Sequence, residues 1–316
     1  MSKINKILIL LLATQLALIA YLYRPNQVTA PPTIHFFDKI NVDQVVGLAI
    51  TDNTKSITIE KKDNVWGLKT TPPYPADNDK VQALVTKLLN LTSSRLVART
   101  KSSHARLKVT SETCNRKLTL TLNNGETSTL LLGTSPNYKT IHVRLSDDDN
   151  VYLVNDLAEW EVPVIPDDWW SNNYLDLEPS TLTRLVLKNS TGQLELTRDK
   201  KNNWQAVGTP KDKKLSDEDL SNFLNKACLI QLSSYLDQDK KSHNLDKPLV
   251  ELELATGTDT IHLKIAATDA KNDEYIAKTS NSPFYVAVHG YEVKDLLETS
   301  LKDLLTDNKE SGSTAK

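Results

Sequence analysis

The chain has 316 residues, 25% of them charged and 39% in the hydrophobic set, with a formal charge of -2 at pH 7. That length accommodates two ordinary domains, each able to bury a core. The near balance of 38 basic and 40 acidic residues, with no basic stripe, argues against a nucleic-acid binder. Two cysteines, Cys114 and Cys228, are too few for a disulfide framework, and Cys228 falls on an apolar helix face where a buried free thiol is expected.

The first element is an apolar run, "ILILLLATQLALIAYLY" (Ile7 to Tyr23), without a charge before Arg24. At about 1.5 Å per residue it spans roughly 26 Å, slightly short of a ~30 Å hydrocarbon core. Lys6 and Arg24 can snorkel to make up the difference, so a single membrane span is expected over residues 7–23. Lys3, Lys6 and the amino terminus favour the cytoplasmic side, which, if the protein is bacterial, places everything after Arg24 outside the inner membrane. The alternative is a cleaved signal peptide. Val28 and Ala30 fit its small-residue rule, but Pro31 and Pro32 directly after Ala30 disfavour cleavage. Residues 1–24 are therefore read as an anchor and 25–41 as an extended, proline-bearing spacer.

Two copies of one pattern follow, over 42–175 and 176–305. The first opens with strand signals at Leu48 and Ile50, Ile57 and Ile59, then Val65 to Leu68 around Trp66. Asp77 is a natural N-cap for a helix with apolar Val81, Leu84, Val85, Leu88 and Leu89 at i, i+3, i+4, i+7, i+8 spacing. The second copy has Leu185 and Leu187, Leu194 and Leu196, then Trp204. Ser216 caps the helix whose stripe is Leu220, Phe223, Leu224, Ala227 and Cys228. A strand meander closes each copy, with "NNG" at Asn123 to Gly125 marking a hairpin and a last helix over "YEVKDLLETSLKDLL". Trp66 and Trp204 are expected to cover the helix that follows each of them. The fold class is α+β: two tandem repeats, each a mainly antiparallel sheet with one packed amphipathic helix, after a transmembrane helix. A period this long means duplicated domains. Residues 306–316 read as a disordered tail.

Chemistry is sparse. His104 and His243 occupy equivalent places in the two copies, which favours shared turn structure over paired ligands. His142 and His262 lack an HxH or HExxH spacing. "SDDDN" (Ser146 to Asn150) has the acid density of a calcium loop without its glycine and distant glutamate, so a solvated hairpin tip is expected. No nucleophile motif or phosphate loop occurs, so no catalytic, cofactor or metal residue is assigned. The one candidate surface is the aromatic cluster Trp169, Trp170 and Tyr174 between the copies. It suits a protein partner or a glycan, or else packs the copies together.

The order of these phrases resembles the domain of unknown function 4340 family. The resemblance rests on "VWGL" before "PADNDKVQALVTKLLNL", "LLLG" with "HVRL" and "VYLV", "DDWWSNNYLDLEPSTLTRLVL", and "HNLDKP" before a strand meander, across roughly residues 42 to 305. The first copy departs from it, having "SHARLKVTSETC" where the second has "SHNLDKP". The resemblance implies a bacterial envelope protein, some relatives being similar or joined to accessory subunits of ABC-type transport systems, and it transfers no catalytic residue. The expected function is thus a non-catalytic, inner-membrane-anchored binding or scaffolding protein with a membrane-complex partner. The competing expectation is an envelope glycan-binding or glycan-processing enzyme.

Overall fold

A computed structural model describes residues 3–22, 32–70, 73–236, 243–268 and 273–308. The first helix, α1 (Lys3–Leu22), is 20 residues long, about 30 Å at 1.5 Å per residue. Its Ile4–Tyr21 window has a mean hydropathy of 1.8, and none of it is buried against the rest of the chain. Thr14 keeps its hydroxyl bonded to Leu11 O at 2.8 Å, so even this polar side chain is satisfied within the helix. Tyr23, Arg24 and the spacer residues 25–31 lie outside the described residues.

After α1 the structure is mixed α/β, built on two separate eight-stranded antiparallel sheets. Two compact units contain them, Met1–Trp169 and Trp170–Lys316; the sequence pattern placed the change of copy after residue 175. In unit 1 the elements are β1 (Ile34–His35), β2 (Val45–Thr51), β3 (Ser56–Lys62), β4 (Val65–Leu68), α2 (Asn78–Leu89), β5 (Thr92–Ser93), β6 (Leu96–Ala98), α3 (Lys101–Arg106), β7 (Arg116–Leu122), β8 (Thr127–Leu132), β9 (Thr140–Leu145) and β10 (Val151–Asn155). The large sheet runs β4-β3-β2-β7-β8-β9-β10-β6.

Unit 2 contains β11 (Asn173–Asp176), β12 (Leu182–Asn189), β13 (Gly192–Arg198), β14 (Trp204–Ala206), β15 (Lys213–Leu215), α4 (Asp217–Cys228), β16 (Leu229–Gln231), β17 (Ser234–Leu236), β18 (Val250–Thr256), β19 (Thr260–Ala267), β20 (Glu274–Thr279), β21 (Tyr285–His289), α5 (Gly290–Glu298) and β22 (Leu305–Asp307). Its large sheet runs β14-β13-β12-β18-β19-β20-β21-β17, the same path as in unit 1. The alternation in the sequence sets the register. Leu48 and Ile50 face Ile59 and Ile57 on one side and Leu120 and Leu118 on the other. Leu185 and Leu187 likewise face Leu196 and Leu194, then Leu254 and Leu252. All twelve are buried, each contributing roughly 1.5–3 kcal/mol of apolar transfer energy.

The central helices begin where their caps predict. The Asp77 carboxylate accepts from Lys80 N at 3.0 Å, and the Ser216 hydroxyl from Asp219 N at 3.3 Å. Val81, Leu84, Val85 and Leu88 are buried on α2, and Leu220, Phe223, Leu224, Ala227 and Cys228 on α4. The end of each unit returns to the same point. Trp169 O accepts from Asp77 N at 2.8 Å, and Leu304 O accepts from Ser216 N at 2.9 Å. Trp169 and Leu304 are therefore topological counterparts, each closing its own unit over the N-cap of its helix.

Three local expectations are corrected. The spacer ends early, because β1 pairs with β5 and Phe36 and Phe37 are buried, Phe36 meeting Tyr152 edge-on at 5.7 Å. The tail begins late, because Thr306 and Asp307 belong to β22, paired with β15; residues 309–316 lie outside the described residues. Leu89 of the α2 stripe is half-buried, unlike its four apolar neighbours. The equivalent tryptophans of the two units are placed unlike each other: Trp66 is buried and donates its main-chain N–H to Asn78 Oδ1 at 2.9 Å, whereas Trp204 is half-buried beneath the Arg198 guanidinium at 4.9 Å.

Candidate functional site

One side of α2 presents Lys80, Ala83, Leu84 and Lys87, spaced i, i+3, i+4, i+7 and so aligned along one stripe. Facing it is the segment after β10, "DLAEWEVPVIPDDW". In unit 2 the corresponding segment forms α5, with Val293 and Leu296 buried. In unit 1, Pro163 removes a donor and holds Val162 away from helical geometry, and Pro166 opens only a short 3-10 turn. The irregular path leaves a groove of about 390 Å³ lined by those four α2 residues with Trp160, Glu161, Pro163, Asp168 and Trp169.

The groove has an apolar floor and charged corners. The Trp169 side chain is 0% exposed, and its ring N–H donates to Pro163 O at 2.9 Å. Lys80 bonds Asp168 O and holds its ammonium 5.2 Å from the Trp169 ring. Lys87 pairs with Glu161, whose other carboxylate oxygen accepts from Ala158 N at 2.8 Å. Trp160, by contrast, is 61% exposed on the rim. Such a concave, largely preformed site with a few fixed polar groups is the ordinary form of a ligand or partner site. A larger depression in unit 2, about 490 Å³, has one charged lining residue, Lys302, and no aromatic. A third, about 220 Å³, lies by β12, β18 and β19, where lining residues Lys188 and Glu251 pair with each other and Glu253 pairs with Arg184.

Trp169, Trp170 and Tyr174 do not form one exposed aromatic surface. Trp169 is interior to unit 1. Trp170 belongs to unit 2 and is half-buried, its ring edge-on to Tyr235 at 5.1 Å; Tyr235 in turn meets Phe284 at 5.2 Å. Tyr174 donates its hydroxyl to Phe284 O at 2.6 Å and accepts from Thr279 N at 2.9 Å, and burial raises its pKa. The physical reason is that the "WW" pair straddles the unit boundary, so each ring is drawn into a different core. Trp160, nine residues earlier, is the exposed tryptophan that the sequence pattern passes over.

The remaining polar clusters have structural partners. His104 Nε2 bonds Asp149 O at 2.7 Å, and Arg144 donates to the carbonyls of Val109, Leu145, Ser146 and Asp148, so the "SDDDN" tip directs carbonyls to its own unit. His142 Nδ1 bonds Thr134, and His243 lies 5.7 Å from Tyr285. Among the described residues no group of three His, Cys, Asp or Glu side chains is placed to hold a metal. Cys114 and Cys228 are free and buried; burial raises both thiol pKa values, that of Cys228 to about 12.

No curated protein and no solved structure matches the chain. A family model described as domain of unknown function (DUF4340) matches residues 66–248, from Trp66 in β4 to Pro248 before β18, and this chain belongs to that family.

Proposed function

We propose that the chain is a membrane-anchored binding or scaffolding protein of the bacterial envelope. It acts without catalysis of its own, as an accessory component of a membrane complex such as an ABC-type transport system. In this reading α1 spans the inner membrane with Lys3 and Lys6 on the cytoplasmic side, and both units stand in the periplasm as duplicated copies. Each copy is an antiparallel sheet with a packed amphipathic helix, to which unit 2 adds α5, an arrangement suited to presenting surface.

The observation that carries this reading is α1 itself. The Ile4–Tyr21 window of α1 is long and apolar enough to cross a membrane, and none of it is buried in the protein. Two units of one topology behind such an anchor supply contact area for a partner held at the same membrane. The test is crosslinking in bacterial cells that express the full-length chain at native level, followed by purification and identification of captured proteins. Recovery of the membrane subunits of an ABC-type system is the expected result. Their absence, under conditions that capture a known membrane complex in the same cells, overturns the accessory role.

A further inference from the structure

The geometry points to the α2 groove of unit 1 as a saccharide-binding site, with Trp160 as the stacking platform for a neutral pyranose chain with equatorial hydroxyls. This goes beyond the scaffold role and does not depend on it. Three observations carry the assignment. First, Trp160 is 61% exposed on the rim of a concave site of about 390 Å³, although an indole of that size gains most from burial. A pyranose with equatorial hydroxyls has a flat C–H face that covers an indole while its hydroxyls stay at the edges.

Second, the lining charges balance: Lys80 and Lys87 against Glu161 and Asp168. An anionic ligand meets two carboxylates and a cationic one meets two ammonium groups. An apolar ligand would strip water from all four charges without replacing a hydrogen bond. Hydroxyls both donate and accept, so a polyhydroxylated neutral ligand satisfies lysine and carboxylate side by side, as at the Lys87–Glu161 pair.

Third, the groove arises from local sequence. Pro163 and Pro166 keep the segment after β10 from forming the helix that unit 2 builds as α5. The Trp169 ring N–H fixes Pro163 and the Trp169 carbonyl holds the start of α2, so both walls are tied to one buried residue. The site is therefore rigid before a ligand arrives, which lowers the ordering cost of weak sugar binding.

The test is titration calorimetry of the full-length chain in lipid nanodiscs, free of sugar-headed detergent, with chitotriose and with cellotriose. The expected result is saturable binding of at least one of them through the low-millimolar range. Trp160→Ala is expected to weaken it about tenfold or more, while Trp160→Tyr retains most of it and Tyr291→Ala, at an exposed aromatic of unit 2, leaves it unchanged. Melting temperature is measured for each variant, and Trp160→Ala should match the parent because its side chain faces solvent. No saturation with either saccharide, or equal binding by Trp160→Ala, overturns the proposal. If Trp160→Ala instead removes a crosslinked membrane protein while neither sugar binds, the groove is a protein contact and the scaffold reading survives alone.

Discussion

Replacing Trp169 by alanine tests whether this residue belongs to the core of unit 1 or to a partner surface. The side chain is fully buried, and its ring N–H is bonded to Pro163 O at 2.9 Å. Truncating a buried tryptophan costs about 3–5 kcal/mol through lost transfer energy and the cavity that remains. The Pro163 carbonyl also loses this donor, a loss included in that range when the site relaxes or admits water. Domains of this size have about 5–15 kcal/mol in total, so the substitution removes a large share. With about 2–4 °C per kcal/mol, the melting temperature of unit 1 should fall by roughly 10 °C. Trp169→Phe keeps most of the volume and gives up the N–H, so it should lose only about 1–2 kcal/mol. The assay is thermal unfolding of the full chain, with hydrogen exchange in β7 to β10 to assign the transition to unit 1. A loss below about 1 kcal/mol for Trp169→Ala would refute the interior placement.

Other substitutions examine separate parts of the account. At Gly133 an added Cβ would stand 2.0 Å from Leu107 O and 2.8 Å from Lys108 O, so Gly133→Ala must displace the segment that Arg144 and Thr134 hold. Chemical denaturation should show a loss of about 2–4 kcal/mol, and a neutral result contradicts that packing. Asp77→Ala removes the α2 cap and should cost about 1 kcal/mol, read as a lower denaturant midpoint with unchanged slope. For Cys228 the folded pKa of about 12 lies above the reference 9.0. Between those values the unfolded chain has released the proton and the folded chain keeps it, so stability is intact below pH 9 and falls as pH rises toward 12. Cys228→Ala should flatten that alkaline decline in denaturation measured at successive pH values; an identical decline contradicts a buried neutral thiol.

Much of the fold was legible because its signals are local. Alternation at Leu48, Ile50, Ile57 and Ile59 defines a half-buried antiparallel pair, and Asp77 and Ser216 announce their helices before the apolar stripe begins. What escaped depends on contacts distant in sequence. The "WW" dipeptide looks like one aromatic patch, yet Trp169 bonds back to Asp77 at the start of α2 while Trp170 meets Tyr235. Ile34 and His35 look like linker because β5, their partner, lies nearly sixty residues later. Thr306 and Asp307 look like tail but are ordered by β15, about ninety residues earlier. The groove was hidden for a related reason. Trp160 sits in "EWEVP" without helical or strand period, and only the folded α2 stripe turns that irregular segment into the wall of a site.

The most direct measurement of the central claim is protease accessibility of the full-length chain in spheroplasts of a bacterial host, paired with alkaline extraction of its membranes. The chain should stay in the membrane pellet through α1, and protease added outside should digest both units in intact spheroplasts. Release of the intact chain by alkali, or units protected until the spheroplasts are lysed, would contradict an inner-membrane anchor presenting them to the periplasm.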